Sequence, residues 1–192
     1  MTARIMAIGE APGENEDRQG VPFVGAAGGL LTDLLREIGV PPEELFITNV
    51  LKSRPPSNRD PLPEEVEACA PYLDAQIRLI QPAVILLLGR HALQRLLPSA
   101  PTISRCHGEM LKVDGRRYVA LYHPAAALYN GRLIGTLRAD FLRVRGYLDE
   151  LSDDGARAAV REEEEGTVRG GPTTPSARAA TSGTDAEQLG LF

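Results

Sequence analysis

The chain has 192 residues, a hydrophobic fraction of 43% and a net charge of −5 at neutral pH, enough for one domain with its core and a remainder. No apolar run reaches the ~18 residues of a membrane span, no signal-peptide core opens the N-terminus, and two cysteines are too few for a disulfide scaffold. A reduced, cytoplasmic protein is expected, and a monomer, since no coiled-coil repeat is evident.

The charge is uneven. Residues 149–192 hold ten of the 26 acids and four of the 21 bases, a balance of −6. Residues 1–148 keep 16 acids and 17 bases, +1, with the bases in local groups: Lys52, Arg54 and Arg59; Arg116 and Arg117; Arg138, Arg143 and Arg145. A nearly neutral body with basic patches permits nucleic-acid binding without demanding it.

Ile5-Met6-Ala7-Ile8 predicts a short buried strand over 4–8. Gly9 to Gly25 follows as a loop, with Gly9 and Gly13 near prolines, where bare backbone can approach a ligand. It carries Glu14, Glu16 and Asp17 and one isolated aromatic, Phe23. Neither dinucleotide nor P-loop glycine spacing occurs, so the loop is no phosphate cradle. An acidic loop with one aromatic suits gripping a flat neutral base and aiming a water. Leu30, Leu31, Leu34, Leu35 and Ile38 space a helix over 26–38, stopped by Gly39. Residues 45–51 read as a second strand, and 52–61 as a loop rich in Pro, Ser and Asn. Pro63 opens a helix to about residue 80, with Glu64 and Glu65 in its first turn, where the dipole favours acids. The unbroken apolar run 83–88 reads as a strand buried on both faces, and Gly89 turns it into a helix over 90–97. Asp114-Gly115 predicts a hairpin within 109–122; its second arm enters the sheet and ends at His123-Pro124. A last helix, 131–149, closes the body.

Strands alternating with helices predict an α/β fold, a three-layer α/β/α sandwich around a central, mostly parallel four-stranded sheet. From Ser152 the composition turns acidic, then Gly-, Pro-, Thr- and Ser-rich, which predicts a disordered C-terminal tail. Three segments result: a body over 1–150, an acidic linker over 151–187, and an apolar end over 188–192.

Ligands of open α/β sheets bind beyond the C-terminal ends of the strands, where Gly9, Asn49 and His123 fall. An asparagine amide offers one acceptor and a donor pair. Uracil N3–H and O4 match it. Cytosine inverts the pattern and leaves polar groups unpaired, a mismatch of ~1–3 kcal/mol. His123 can donate to an oxygen that gains charge as a glycosidic bond breaks. Each residue also has a plainer reading: a strand-end Asn capping the next loop, an ordinary strand-end His, a core Phe23, a solvated Glu16.

Taken together, four ordered motifs resemble the family 4 uracil-DNA glycosylases over residues 3–148. The first is Gly9-Glu10-Ala11-Pro12-Gly13, then Glu16-Asp17, then Pro22-Phe23-Val24-Gly25 with Ala27-Gly28. The second runs from Thr48-Asn49-Val50 to Asn58-Arg59-Asp60-Pro61. The third is Leu88-Gly89-Arg90 with Ala92-Leu93, and the fourth His123-Pro124-Ala125-Ala126-Ala127-Leu128. The resemblance implies a monofunctional glycosylase that hydrolyses the N-glycosidic bond of uracil in DNA, the opening step of base-excision repair, and flips the base out of the stack to do so. It implies that Gly9, Glu10 and Ala11 line the base pocket, Phe23 stacks on the base and Asn49 reads its edge. His123 would stabilise charge on uracil O2, and Glu16 and Asn58 would position water, so Glu10, Glu16, Asn58 and His123 form the implied catalytic set. Arg54, Pro55, Pro56, Arg59, Pro124, Ala125, Ala126 and Leu128 are the implied DNA contacts. No metal is implied in the chemistry; one preorganised donor at O2 is worth ~3–4 kcal/mol.

Most members of that family bind a [4Fe–4S] cluster through four cysteines, two of them ahead of the first motif. Here no cysteine precedes Gly9, Ser53 stands at the third ligand position and Cys69 remains. One thiolate does not hold a cluster, so a cluster-free member is expected, with its 50–70 loop held by packing alone. Tyr129 stands where the family often has Arg. The terminal Gln188-Leu189-Gly190-Leu191-Phe192 resembles the bacterial sliding-clamp-binding peptide: Gln188, Leu189, Leu191 and Phe192 would anchor a nucleoid-associated enzyme through a flexible tether. The alternative is a non-catalytic module that grips uracil-containing or single-stranded DNA and tethers it to the clamp. Retention of Glu10, Glu16, Asn49, Asn58 and His123 argues against it.

Overall fold

The computed structural model describes residues 3–168, with side chains up to residue 153. Five strands form one sheet: β1 (Ile5–Gly9), β2 (Leu45–Asn49), β3 (Val84–Leu88), β4 (Met110–Val113) and β5 (Arg116–Leu121), in the order β2-β1-β3-β5-β4. The first four in that order are parallel and β4 is antiparallel to β5. The mostly parallel α/β reading holds, but the sheet has one strand more than the four expected. Both arms of the hairpin pair, because Asp114 (φ 49°) and Gly115 (φ 74°) make the left-handed two-residue turn that matches strand twist.

The helices are α1 (Glu14–Gln19), α2 (Ala26–Glu37), α3 (Pro63–Ile80), α4 (Arg90–Leu96), α5 (Ile103–Cys106), α6 (Pro124–Tyr129) and α7 (Arg132–Val168). α1 lies inside the stretch read as a loop, with its three acids in the first turn, where they face the positive end of the dipole. α7 continues past residue 151, where composition places the linker. Residues 156–165, Ala-Arg-Ala-Ala-Val-Arg followed by four Glu, are polar but rich in strong helix formers. Residues 169–192, including the apolar end, lie outside the described residues. Among those described, no helix is long and apolar enough to cross a membrane.

Alternation along the strands splits the core in two. Ile5, Ala7, Val84, Leu86 and Leu88 face Leu31, Leu34 and Leu35 of α2 and Leu137, Phe141 and Val144 of α7. Met6, Ile8, Ile85 and Leu87 face Leu73 and Ile77 of α3 and Ala92 and Leu93 of α4. β1 and β3 are buried throughout, as central parallel strands are. Their C-terminal ends are therefore fixed points from which loops can hold side chains.

Phe23 hangs from one such loop with a φ of 57°, a left-handed conformation that lays its carbonyl against the first turn of α2. Gly28 permits this, since a Cβ there would stand 1.6 Å from the Phe23 carbonyl oxygen. Gly28→Ala is expected to destabilise the protein by about 3 kcal/mol or more, measured as a lower urea midpoint with an unchanged slope.

Candidate active site

Parallel pairing of β1 with β2 sets Gly9 beside Asn49. The absence of a side chain at Gly9 leaves room for two others: a Cβ there would lie 2.5 Å from Asn49 Oδ1 and 2.7 Å from the Phe23 ring. Residues far apart in sequence so meet on one wall. The peptides beyond them are tied as well, with Val50 N donating to Gly9 O and Leu51 N to Glu10 O, both at 2.9 Å. Asn49 is 5% exposed, and its Oδ1 is buried with no hydrogen-bond partner among the described residues. A buried acceptor left unpaired costs about 1–3 kcal/mol, so this atom is set for a donor from outside the chain.

His123 follows β5 and caps α6. Its Nδ1 accepts from Ala125 N at 3.1 Å, which assigns the proton of the neutral ring to Nε2. Desolvation by burial lowers its pKa to about 4, so at neutral pH the ring is an uncharged Nε2–H donor. It stacks on Phe23, with centroids 5.6 Å apart and planes at 26°. Gly89, at φ 91°, makes room for it: a Cβ there would sit 3.1 Å from His123 Cβ.

A cleft of about 290 Å³ brings Glu10, Ala11, Asn58 and His123 together with Pro55, Arg59 and Ala125. Glu16 is not on it. Its Oε1 accepts from Gly25 N at 2.8 Å, and it lines a second cleft of about 360 Å³ with Asn49, Lys52 and Gln76. The water-positioning pair suggested by the motifs is thus divided between two clefts, with Glu16 bracing the loop.

Of the implied DNA contacts, Pro56 and Leu128 are exposed, Ala125 and Ala126 partly so, and Pro55 and Pro124 are buried. Arg54 donates to Asn58 Oδ1 at 2.7 Å. Arg59 makes a two-pronged pair with Glu65 at 2.8 and 2.7 Å. That pair, with a hydrogen bond from Leu62 N, holds the Glu65 carboxyl down at about 2. Sequence reasoning missed His91, whose Nε2 lies 3.6 Å from Glu10 and 3.5 Å from Asp60. Burial raises the pKa of Glu10 there. Among the described residues these three are spaced closely enough to share an ion, although Arg90 already pairs with Asp60. Lys52 stood in the sequence as one base of a patch and one position of the second motif, with no role assigned.

The profile of the uracil DNA glycosylase superfamily matches residues 1–145. The chain belongs to that superfamily. It is similar to the Type-4 uracil-DNA glycosylase of Sulfurisphaera tokodaii, 48% identical over 155 residues that cover 74% of this chain and 69% of the relative. It is 49% identical to the Type-4 uracil-DNA glycosylase of Archaeoglobus fulgidus over 150 residues, 74% of this chain and 75% of the relative. The Type-5 uracil-DNA glycosylase of Pyrobaculum aerophilum is 32% identical over 161 residues, 74% and 71% of the two chains.

The cluster suggested by the family 4 resemblance needs four thiolates. Cys69 Sγ instead accepts from Lys52 N at 3.3 Å, Ser53 is exposed, and the buried Cys106 donates to the carbonyls of Pro101 and Thr102. These donors do not fit a cluster. Nor is the 50–70 loop of this superfamily member held by packing alone. Arg54–Asn58, Arg59–Glu65 and Arg90–Asp60 pin its side chains, and Lys52 Nζ donates to Thr48, Asn49 and Gln76.

Because burial lowers the His123 pKa, the unfolded chain takes up a proton near pH 6.5 that the folded chain refuses until about pH 4. Stability is therefore full above pH 6.5 and lost as pH falls through that window. Between pH 7 and 4.5 the native protein is expected to lose roughly 2–3 kcal/mol more than His123→Ala, compared by urea unfolding at the two pH values.

Proposed function

We propose that this protein hydrolyses the N-glycosidic bond of uracil in DNA as a monofunctional, monomeric glycosylase that opens base-excision repair. The observation that carries the reading is the buried Asn49 Oδ1, without a partner among the described residues, an acceptor for uracil N3–H on the wall shared with Phe23, whose ring in turn stacks on the neutral donor His123 of the neighbouring cleft. Cytosine has no proton at N3 and leaves that oxygen orphaned, so a polar atom that burdens the free protein becomes a discriminator.

Chemistry follows from the same placement. The N1–C1′ bond breaks with its electron pair passing to the base. Nε2–H of His123 donates to the O2 that gains charge, and the donor is already oriented. The sugar becomes oxocarbenium-like, and a water adds at C1′ through its oxygen and gives one proton to solvent, from which the departed uracil anion takes one up. Asn58, on the cleft with His123, holds that water, and Glu16 acts one step back by fixing the loop between Gly13 and Gly25. Exposed Leu128 and Pro56 press on the flanking DNA as the base leaves the stack. The iron–sulfur cluster has no part in this reading.

An excision assay on a labelled uracil-containing oligonucleotide tests it. Alkali-sensitive product is expected from the wild type, with losses of ~100-fold or more in Asn49→Ala and His123→Ala, in preparations that hold no iron or acid-labile sulfide. Tight binding to uracil-containing DNA without product favours the non-catalytic module, and activity that tracks iron content rejects a cluster-free enzyme.

Gln188, Leu189, Leu191 and Phe192 anchor the enzyme to the sliding clamp in the nucleoid. Deleting 188–192 is expected to abolish binding to purified clamp, read by surface plasmon resonance, while excision on short oligonucleotides stays unchanged. Undiminished clamp binding removes the anchor.

A further inference from the structure

We infer that Lys52 is a positioning residue of the reaction: its ammonium, held on the backbone carbonyl of Asn49, stabilises the negative charge that uracil acquires as it leaves. The inference rests on the glycosylase reading above. Lys52 follows β2 and turns back beneath its end. Nζ donates to Asn49 O at 2.7 Å, Gln76 Oε1 at 2.8 Å and Thr48 Oγ1 at 2.9 Å. Those bonds use all three ammonium protons, so Lys52 has none left to grip an anion in the cleft it lines. All three acceptors are neutral, and among the described residues Lys52 forms no ion pair. Glu16 and Asp17 line the same cleft, but Glu16 is committed to Gly25 N.

A half-buried ammonium without a counter-ion costs stability, and that burial lowers its pKa. What it supplies is a fixed positive field on the strand end that carries the base-reading amide. Asn49 is almost fully excluded from water, and a charge beside such a site is screened far less than one at the surface. His123 serves O2 on one side of the departing base. Lys52 acts on the other, through Asn49, on the charge spread toward N3 and O4.

The test uses leaving-group chemistry. Fluorine at C5 makes the base a better leaving anion that needs less help. Single-turnover excision of uracil and of 5-fluorouracil is measured in one oligonucleotide sequence for the wild type, Lys52→Met, Lys52→Gln and Gln76→Leu. Both Lys52 variants are expected to slow uracil excision by ~10–100-fold and 5-fluorouracil excision much less. Lys52→Gln keeps hydrogen bonding without charge and is the arm that survives if Lys52→Met does not fold. Gln76→Leu loosens the same scaffold but keeps the charge, and is expected to slow both bases alike and only modestly. Equal slowing of the two bases by the Lys52 variants overturns the inference, as does a base dependence in Gln76→Leu that matches theirs. A wild type that excises neither base defeats the glycosylase reading itself.

Discussion

The missing Cβ at Gly9 is the constraint on which the site depends. Register places Gly9 against Asn49 at the end of two central strands, and any side chain there would enter the space of the amide and of the Phe23 ring. The strands do not move aside, because β1 is paired on both edges and buried on both faces. The first-motif loop has the same anchor, since the Gly9 and Glu10 carbonyls accept from the peptides just past Asn49. Phe23 completes the wall only because Gly28 lets its left-handed turn settle on α2. Two glycines nineteen positions apart thus hold one aromatic and one amide in register.

Burial then converts ordinary groups into chemical ones. An exposed asparagine would satisfy its carbonyl with water and show little preference among bases. Here the oxygen is sealed and unpaired, so a partner with the wrong polarity leaves the full desolvation penalty in place. An exposed histidine would be partly charged near neutrality, whereas His123 is held neutral with Nδ1 occupied. Both features subtract from the stability of the free protein. Strain and desolvation concentrated at a site are what a preorganised pocket is expected to show.

Much of this was legible in the sequence because the signals were long or chemically narrow. The apolar run at 83–88 has one physical reading, a strand buried on both faces, and Asp114-Gly115 one, a tight hairpin turn. Gly9, Asn49 and His123 fell at strand ends by simple periodicity. What was not legible depended on which partner each polar side chain chooses. Glu16 and Asn58 look alike as loop residues, yet Gly25 N captures one while Arg54 holds the other on the cleft with His123. Arg59 reads as a DNA contact until Glu65 takes both its prongs. α1 is too short to show a period, and the fifth strand came from a four-residue hairpin arm with two of its residues exposed. Past residue 151, one composition satisfies both a linker and a helix, and helix propensity prevails to Val168.

The loop between β2 and α3 is fastened by polar side chains. A four-thiolate cluster would fix its ligands whatever the loop's charges were doing. Here Arg54, Arg59 and Arg90 each hold part of the loop through Asn58, Glu65 and Asp60. Such solvated contacts are individually weak and sensitive to salt. Of these arginines, Arg59 lines the cleft that holds His123. An arginine cannot neutralise a phosphate with prongs already given to a carboxylate, so in the proposed complex with DNA a phosphate competes with Glu65 for Arg59. The half-buried Lys52 is the exception, because its three protons point inward and phosphate has no access to them. Lys52 ties Asn49 to Thr48 and Gln76 without drawing on any of those arginines, so the end of β2 has a fastening of its own.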